Sequence, residues 1–294
     1  MQYKFDVLII GTGSAGLMNA LHLSDELSIA LIAKDKLLEG CSYYAQGGIS
    51  AVLDAQDNFQ SHINDTLLTG NHLGDEEAIR FMVEQAPATI QSLEKLGVLF
   101  TQEEGRYHLT TEGGHSNRRI AHVADKTGKS IQTNLLNSVK KKKNIHLFEG
   151  FIAIDLLMKN KQCYGAYILN KSSNEVESFI AHKTIIATGG ASKVYLYTSN
   201  PDTSTGDGIA MAYRAHGHIV NMEFTQFHPT CLYHPHAKSF LISEALRGEG
   251  AKLILPNGDT FMHKYDNRLE LAPRDVVARA IDSEMKIHGF DCVY

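Results

Sequence analysis

A glycine-rich turn between two short apolar segments places the strongest constraint on how this 294-residue chain folds. Phe5 to Ile10 form an almost unbroken apolar run, which is typical of a strand buried on both faces of a parallel sheet. The sequence Gly-Thr-Gly-Ser-Ala-Gly follows at 11–16, and apolar residues then recur at helical spacing as far as Leu23. A second apolar segment covers 28–33. Strand, turn, helix and strand within about 30 residues predict one βαβ unit.

The glycines of this turn predict a dinucleotide-binding site. The first glycine allows a tight turn, the second lets the backbone approach a pyrophosphate, and the third lets the helix pack closely on the strand. Backbone N–H groups at the start of the helix then face the phosphates. We assign to the cofactor the six residues of the turn: Gly11, Thr12, Gly13, Ser14, Ala15 and Gly16. The alternative is an ordinary strand–turn–helix without a ligand, and the presence of both flanking strands argues against it.

The end of the second strand departs from the usual dinucleotide pattern. Such folds commonly place an acidic residue about 20 residues after the turn, where it holds a ribose hydroxyl. Here Ala33 and Lys34 occupy that position, and Asp35 follows. We therefore expect Lys34 to contact the ribose or the adenine of the cofactor. The turn alone does not decide between NAD and FAD.

Other local patterns predict the rest of the first domain. Asp75 is an expected helix N-cap, and Pro87 is expected to begin a further helix. The β-rich segment 145–190 is interrupted by polar turns. We expect an antiparallel excursion, that is, a set of antiparallel strands after which the chain returns to the parallel sheet through residues 183–187. Residues 206–217 are a predicted helix, with Asp207 in its first turn.

The alternation of polar and apolar residues fades after about Met222, where Pro, His and Gly become frequent. We place a domain boundary there. The sequence thus predicts an α/β fold in which residues 1–221 form a Rossmann-type domain and residues 222–294 begin a second domain.

Composition and charge exclude several classes of protein. The net charge is only −5, and the basic run Lys140–Lys143 lacks the recurring Arg and aromatic partners of a nucleic-acid patch. No apolar run approaches the roughly 20 residues of a membrane span. The cysteines stand singly, which predicts neither disulfides nor zinc and favours the cytoplasm. His234 and His236 lack a third ligand at a matching spacing, so we expect no metal.

Longer motifs identify a family. The motifs are GCSYYAQGGISA at 40–51, EGGHSNRRI at 112–120, ATGG at 187–190, TGDGIAMA at 205–212, EFTQFHPT at 223–230, SEALRGEG at 243–250 and LAPRDVVAR at 271–279. With these motifs the whole chain resembles the succinate dehydrogenase and fumarate reductase flavoprotein family. The resemblance implies an FAD-binding domain followed by part of an α+β capping domain.

The resemblance also implies which further residues contact FAD. They lie in the segment along the flavin (Cys41, Ser42, Tyr43, Tyr44, Ala45, Gln46, Gly47, Gly48), in the ATGG motif (Ala187, Thr188, Gly189, Gly190) and at Asp207. In membrane-bound relatives a histidine five residues before the glutamine forms a covalent bond to FAD. Cys41 occupies that position here. A buried thiol is the simplest expectation for Cys41, and we therefore expect noncovalent FAD.

A dicarboxylate substrate needs cations and hydrogen-bond donors for its carboxylates. The residues that resemble the family's substrate-contacting set are His228, Ser243, Glu244 and Arg274. The family assigns proton transfer to the equivalent of Arg274. Because an arginine with a pKa above about 12 is a poor base, we expect Arg274 chiefly to orient a carboxylate and to stabilise charge.

Glu112 separates two branches of the family. Its motif, with Ser116, Arg118 and Arg119, resembles the branch that oxidises L-aspartate, whereas relatives that handle succinate lack this acidic residue. Aspartate is succinate with an α-ammonium group, and a carboxylate beside that group distinguishes the two substrates. We therefore name Glu112, His228 and Arg274 as catalytic residues. A solvated loop carboxylate is the alternative for Glu112.

The resemblance implies an oxidation of L-aspartate to iminoaspartate, with electrons passed from the flavin to oxygen or fumarate. This reaction would begin NAD biosynthesis, with quinolinate synthase receiving the product. The alternatives are a succinate dehydrogenase or fumarate reductase flavoprotein, and a cofactor-binding fragment without turnover. Members of the family continue well beyond the last motif found here, so the resemblance implies an incomplete enzyme.

Overall fold

The structure is a computed structural model that describes residues 1–234, 236 and 240–294. The chain forms two compact units, each made of two separate segments. Unit 1 contains Met1–Ala45 and Gly128–Thr225, and unit 2 contains Gln46–Thr127 and Gln226–Tyr294. In these described ranges no helix has both the length and the apolar character needed to cross a bilayer.

The secondary structure is as follows. The strands are β1 (Gln2–Ile10), β2 (Ile29–Ala33), β3 (Ile49–Ser50), β4 (Gln102–Glu103), β5 (Arg106–Tyr107), β6 (Leu109–Thr110), β7 (Ile120–Ala121), β8 (Ile145–Glu149), β9 (Phe151–Lys159), β10 (Gln162–Asn170) and β11 (Glu175–Ile186). The α-helices are α1 (Ser14–His22), α2 (Cys41–Tyr44), α3 (Phe59–Thr69), α4 (Glu76–Lys95), α5 (Thr127–Val139), α6 (Asp207–Arg214), α7 (Ala245–Gly248) and α8 (Arg274–His288). Short 3-10 helices cover Ser192–Val194, Met262–Lys264 and Leu269–Leu271.

Unit 1 is built on one six-stranded sheet with the strand order β8-β2-β1-β11-β10-β9. The strands β8, β2, β1 and β11 are parallel to their neighbours in that series. All five residues of β2 are buried, as are the last four of β1, which explains why both read as continuous apolar runs. The predicted βαβ unit is therefore confirmed as β1, α1 and β2.

The antiparallel excursion is confirmed as β9, β10 and β11. Residues 175–180 of β11 pair antiparallel with β10, and residues 178–186 pair parallel with β1. One detail differs from the expectation. Residues 145–158 form two strands, because β8 pairs parallel with β2 at one edge of the sheet while β9 pairs with β10 at the other edge. Gly150 separates them with a φ of +76°, a conformation that favours glycine.

Unit 2 combines helices with small antiparallel sheets. The strand order β3-β7-β6 forms one sheet, and β4 and β5 form a hairpin. Helices α3 and α4 pack on each other. An apolar core lies around α8 and includes Leu253, Leu255, Phe261, Met262, Ala272, Val277, Ala280 and Ile281. The strands of unit 2 all lie within residues 46–127, whereas the described part of residues 222–294 contains helices and isolated β-bridges.

The expected helix boundary at Pro87 is wrong. Asp75 caps α4 as predicted, its Oδ1 accepting from the Ala78 N–H at 2.9 Å, but the helix then continues through Pro87 to Lys95. Val83 and Ile90 are both buried on the same side of this helix. Their packing holds the helix together across the missing proline N–H.

The division into units also differs from two consecutive domains. A change near residue 222 was expected, and the second segment of unit 2 begins at Gln226. However, residues 46–127 cluster with that later segment rather than with the strands that surround them in sequence. The insertion begins in the loop after α2 and ends at the first residue of α5, and neither end is marked by a change in composition.

Candidate functional site

The glycine turn of unit 1 brings backbone segments into very close contact. Gly11 has a φ of +113°, and a Cβ atom there would collide with the carbonyl of Ala187. A Cβ atom at Gly16 would collide with the Gly11 carbonyl oxygen. Because α1 begins directly at Ser14, its first-turn N–H groups lie at the turn. Close backbone approach together with a helix N-terminus fits the pyrophosphate of a dinucleotide.

The ATGG motif lies directly beside this turn. The Ala187 N–H donates to the Ile10 carbonyl oxygen at 2.8 Å, so the motif leaves the sheet next to the end of β1. The Gly206 N–H donates to the Gly190 carbonyl oxygen at 3.2 Å, which fixes the motif to the start of α6. The turn, the ATGG motif and Asp207 thus lie together at the carboxyl ends of the parallel strands. Dinucleotides bind at this edge in open α/β sheets.

Lys34 and Asp207, both predicted to contact the cofactor, form an ion pair. Lys34 Nζ donates to Asp207 Oδ2 at 2.6 Å and to the Thr203 carbonyl oxygen at 3.2 Å, and it also contacts Thr205 Oγ1. Burial works to raise the pKa of Asp207, but hydrogen bonds from Lys34 and Thr205 and the Lys34 charge outweigh it and lower the pKa. A carboxylate, absent from the end of β2 itself, is therefore held beside Lys34 by α6.

The environment of Cys41 differs from the expectation. Its thiol was expected to be buried, but Cys41 is exposed in the first turn of α2. Cys41 Sγ donates to Asn200 Oδ1 at 2.8 Å and lies 3.2 Å from Ser204 Oγ. The reason is that α2 is a short surface helix, so its first residue faces polar side chains rather than the core.

The segment expected to follow the flavin is divided between the units. Residues 41–45 belong to unit 1, and Gln46, Gly47 and Gly48 belong to unit 2. The buried Gln46 Oε1 has no hydrogen-bond partner among the described residues. A Cβ atom at Gly47 would lie 2.8 Å from Glu112 Oε1, and one at Gly48 would collide with the Ala121 carbonyl. The segment therefore approaches Glu112 at Gly47, where the absence of a side chain leaves room for the Glu112 carboxylate.

The predicted substrate residues of unit 2 meet around Arg274. Arg274 is the first residue of α8; its Nε lies 2.5 Å from Glu244 Oε2, and its Nη2 lies 3.1 Å from Glu112 Oε2. Glu244 is fixed further, because its Oε1 accepts from the Gly113 N–H at 2.9 Å. The Arg274 side chain is 33% exposed and that of Glu244 is 2% exposed. Residues far apart in sequence thus form one partly accessible charged centre.

Glu112 is held in an environment that opposes its ionisation. Burial raises its pKa most, and the nearby charge of Glu244 raises it further, while Arg274 partly offsets both. A carboxyl group with a raised pKa binds a proton or a cation more readily than a surface carboxyl does. Glu112 is therefore not the solvated loop carboxylate of the alternative interpretation. Its geometry suits a cationic group of a ligand.

His228 and Ser243 lie on adjoining segments. The Ile242 N–H donates to the Thr230 carbonyl oxygen at 3.0 Å, and Thr230 Oγ1 donates to the Ile242 carbonyl oxygen at 3.0 Å, which brings the two segments together. His228 Nδ1 accepts from the Thr230 N–H at 3.2 Å, so the ring proton resides on Nε2. Burial, and then the charge of Arg274, lowers the pKa of His228. A neutral His228 therefore offers an Nε2–H donor.

Arg247 is a residue to which the sequence assigned no role, although it lies inside the SEALRGEG motif. It is 5% exposed, and its Nη1 donates to the Glu270 carbonyl oxygen at 2.8 Å. Its Nη2 lies 3.4 Å from Glu244 Oε1. Glu244 therefore stands between two guanidinium groups, those of Arg247 and Arg274. The signal in the sequence is the SEALRGEG motif itself, in which Arg247 lies between two glutamates, Glu244 and Glu249.

A second ion cluster was also missed. Arg119 is fully buried and forms ion pairs with Asp57 and Asp65. Asp57 lies just before α3, and Asp65 lies within it. Arg119 lies in the EGGHSNRRI motif, but no signal in the sequence connects it with carboxylates more than 50 positions away. Within the described residues there is no cluster of three or more His, Cys, Asp or Glu side chains placed to hold a metal.

Comparisons of the sequence with known proteins agree with this geometry. The FAD binding domain family matches residues 6–294. An L-aspartate oxidase of Pseudomonas aeruginosa is 55% identical over 99% of this chain and 57% of its own length. A chloroplastic L-aspartate oxidase of Arabidopsis thaliana is 45% identical over 96% of this chain and 46% of its own length. The chain thus spans about half the length of these curated relatives.

Solved structures show the same relationship. An E. coli quinol fumarate reductase matches 98% of this chain and 52% of its own chain, with 30% identity and a TM-score of 0.91. Mycobacterium smegmatis Sdh1, in complex with UQ1, matches 97% of this chain and 50% of its own, with 31% identity and a TM-score of 0.82. The predicted resemblance to these flavoproteins is confirmed. The chain belongs to the FAD binding domain family, and its cofactor is FAD.

Proposed function

We propose that this protein is an FAD-dependent oxidoreductase that converts L-aspartate to iminoaspartate. The observation that carries the proposal is Glu112, a largely buried carboxyl group with a raised pKa, held beside Arg274. A substrate with an ammonium group next to a carboxylate matches this pair of opposite charges. Curated relatives that are 50–55% identical to this chain carry the name L-aspartate oxidase, which supports the same substrate.

The charges of the centre suggest how aspartate binds. Glu112 and Glu244 balance Arg247 and Arg274, and His228 is neutral. An α-ammonium group that pairs with Glu112 releases Arg274 Nη2, which then binds a substrate carboxylate. His228 donates from Nε2 to a carboxylate oxygen, and Ser243 offers its hydroxyl group. The ion pair between Glu112 and Arg274 is thus exchanged for two contacts with the ligand.

In the proposed reaction, the Cα–H bond breaks with its electron pair and the ammonium group gives one proton to Glu112, which leaves the iminium form of iminoaspartate. Bound FAD would accept the two electrons, and oxygen or fumarate would be the final electron acceptor. Arg274 and His228 orient the carboxylates, and Glu112 holds the amine. Lys34, Asp207, the glycine turn and residues 41–48 and 187–190 would hold the cofactor. With Cys41 in the position of the linking histidine, FAD is held noncovalently.

The proposal includes a cellular role. Iminoaspartate production begins NAD biosynthesis, quinolinate synthase receives the product, and the reaction takes place in the cytoplasm. A succinate dehydrogenase or fumarate reductase flavoprotein is the second candidate, favoured by the fold similarity to such proteins at TM-scores of 0.82–0.91. Glu112 argues against it, because neither succinate nor fumarate carries a cation for that carboxylate.

The test compares two substrates in one variant. In the FAD-loaded protein, Glu112→Gln should lower kcat/KM for aspartate by about one to two orders of magnitude, the equivalent of roughly 1.5–3 kcal/mol for a hydrogen bond to a charged group. Fumarate reduction should change far less, because fumarate has no ammonium group. Arg274→Leu should impair both reactions, since both ligands carry carboxylates. Glu84→Gln, an exposed substitution in α4, is the matched control.

The pH dependence gives a second measure in the same experiment. Only ionised Glu112 pairs with the ammonium group, so kcat/KM for aspartate should fall as the pH falls through the raised pKa of Glu112. This acid limb should be absent in Glu112→Gln. Equal losses for aspartate and fumarate in that variant would refute the assigned role. A parent protein that reduces fumarate but leaves aspartate untouched would support the second candidate.

A further inference from the structure

The loop that carries Glu112 is fixed at both ends by the small sheet of unit 2. We call residues 111–119, which join β6 to β7, the Glu112 loop. Leu109 pairs with Ala121 and Thr110 with Ile120, so the loop is a closed hairpin connection. The Arg119 N–H donates to the Thr110 carbonyl oxygen at 3.1 Å and completes the closure. Nine residues between two paired strands have room for several conformations unless side chains restrain them.

The last residue of the Glu112 loop is anchored by a buried ion cluster. Arg119 is 0% exposed, and its Nε and Nη2 donate to the two carboxylate oxygens of Asp57 at 2.9 and 2.8 Å. The remaining Arg119 nitrogen, Nη1, donates to Asp65 Oδ2 at 2.8 Å. The cluster therefore contains two carboxylates for one cation, and the Asp57 side chain is only 2% exposed. An excess buried carboxylate requires further donors.

Those donors come from the Glu112 loop itself. Asp65 Oδ2 accepts from the Ser116 N–H at 2.9 Å and from Ser116 Oγ at 2.8 Å, in addition to Arg119. Asn117 Nδ2 donates to Asp57 Oδ1 at 2.9 Å. Asp65 thus attaches the returning half of the loop to α3, together with Ser61, whose Oγ lies 2.9 Å from Ser116 Oγ and accepts from Asn117 Nδ2 at 3.1 Å. Oδ2 of Asp65 therefore connects two residues of the Glu112 loop, Ser116 and Arg119.

The other half of the loop leads directly to the charged centre. Gly113 N–H is bound by Glu244, and the Glu112 side chain is bound by Arg274. The His115 N–H donates to the Glu112 carbonyl oxygen at 3.2 Å, which forms a turn next to Ser116. Only this turn separates Glu112 from the residue held by Asp65. A displacement of Ser116 therefore displaces the backbone of Glu112.

We propose that Asp65 is a positioning residue that holds Glu112 at the site of the substrate ammonium group, acting through Ser116 and Arg119. The inference rests on the proposed function, in which Glu112 receives that group. Asp65 does not contact the substrate. Loss of its contacts should let Glu112 turn away from the ammonium group while the carboxylate-binding residues on α8 keep their places. Asp65 thereby contributes to the discrimination between aspartate and dicarboxylates without nitrogen.

The kinetic test uses Asp65→Ala and Asp65→Asn in the FAD-loaded protein. Asp57 remains bidentate to Arg119 in both, so the cluster keeps one complete ion pair. Asp65→Ala should lower kcat/KM for aspartate by about tenfold relative to fumarate, mainly through KM. Asp65→Asn keeps an oxygen acceptor and should recover part of that loss. Asn64→Ala, at the neighbouring exposed position of α3, should leave both reactions unchanged. Equal losses for both substrates would overturn the proposal.

A double-mutant cycle tests whether Asp65 acts through Glu112. In the Glu112→Gln background, Asp65→Ala should cause no further loss of aspartate selectivity, because the residue it positions no longer carries a charge. An additional loss of the same size as in the parent would show that Asp65 acts independently of Glu112. That result would also overturn the proposal.

Amide hydrogen exchange separates this inference from the proposed function. Peptides that cover residues 111–119 should exchange at least about tenfold faster in Asp65→Ala, while α8 peptides keep their parent rates. If the parent does not oxidise aspartate, the proposed function fails, and exchange still decides whether Asp65 holds the loop. Unchanged exchange in the Glu112 loop would show that Asp65 does not restrain it and would overturn the inference whatever the substrate.

Discussion

Two arginines of unit 2 each contact two carboxylates, and their exposure separates their roles. Arg119 has a side-chain exposure of 0%, whereas that of Arg274 is 33%. A fully buried guanidinium cannot exchange its partners without leaving a buried charge unpaired, which is costly. The partly exposed Arg274 can exchange Glu112 for a ligand carboxylate at a much smaller cost. The same residue type is therefore locked in a buried cluster in one place and accessible to a ligand in the other.

His62 reports on the buried charge of Arg119. Burial, and then the positive charges of Arg119 and His115, lowers the pKa of His62 to about 4. In the unfolded chain a histidine titrates near 6.5, so the unfolded state binds a proton first as the pH falls. Stability should therefore decrease on acidification, by about 2 kcal/mol between about pH 7 and about pH 5.

The measurement is the free energy of unfolding in urea at both pH values. His62→Gln removes the titrating group and should reduce the decrease by most of that amount. The matched control is His263→Gln, which changes an exposed histidine of unit 2 and should leave the pH dependence as in the parent. Identical pH dependence in His62→Gln and the parent would contradict the assignment.

At the scale of elements, α4 shows a local rule overruled by packing. Proline in a helix interior removes one hydrogen bond and crowds the preceding turn. Even so, α4 runs unbroken from Glu76 to Lys95, with Val83, Ile90 and Leu93 buried along it. The helix is therefore maintained by its buried face despite an unfavourable residue at position 87.

Pro87→Ala should stabilise the protein. Alanine restores a donor for the Val83 carbonyl oxygen and favours the helix by about 3 kcal/mol. The unfolded chain also becomes more flexible without the proline, which reduces this gain in stability by up to about 1 kcal/mol. We expect a net gain of roughly 2 kcal/mol in the free energy of unfolding. Gln85→Ala, at an exposed position of the same helix, controls for helix propensity alone. A loss of stability in Pro87→Ala would mean that the proline ring itself is needed for packing.

At the scale of the whole molecule, residues 46–127 are an insertion into unit 1. The two ends of the insertion meet, because the Gly128 N–H donates to the Ala45 carbonyl oxygen at 2.9 Å. Every strand of the six-stranded sheet lies outside the insertion. Unit 1 therefore has a continuous core of its own around Leu8, Ile32 and Phe179.

A chain of residues 1–45 and 128–225, joined by two glycines, should fold. The measurements are the far-ultraviolet circular dichroism and the cooperativity of urea unfolding. The comparison chain, residues 1–127, lacks β8 to β11 and should not unfold cooperatively, because β1 and β2 have lost their partners. A non-cooperative transition in the joined chain would show that the sheet requires residues of unit 2.

The sequence predicts what adjacent residues determine. The turn at Gly11, the N-cap at Asp75 and the helix with Asp207 in its first turn each depend on contacts within a few positions, and the structure shows all three, with the helix spanning Asp207–Arg214 rather than 206–217. The association of residues 46–127 with residues beyond 225 depends on contacts over long separations, for which the local pattern gives no sign. For the same reason Asp57 and Asp65 were not connected with Arg119. The roles of the site residues toward FAD and aspartate stay predictions.

The position of β11 in the sequence affects when the central sheet can form during synthesis. On the ribosome, β1 emerges first, yet its partner on one side is residues 178–186 of β11. At a synthesis rate of roughly 5–20 residues per second, β11 is made about ten to thirty-five seconds after β1. During synthesis the open edge of β1 can pair with other chains or bind a chaperone. The yield of folded protein should therefore depend on how fast the chain is translated, even where its final stability does not.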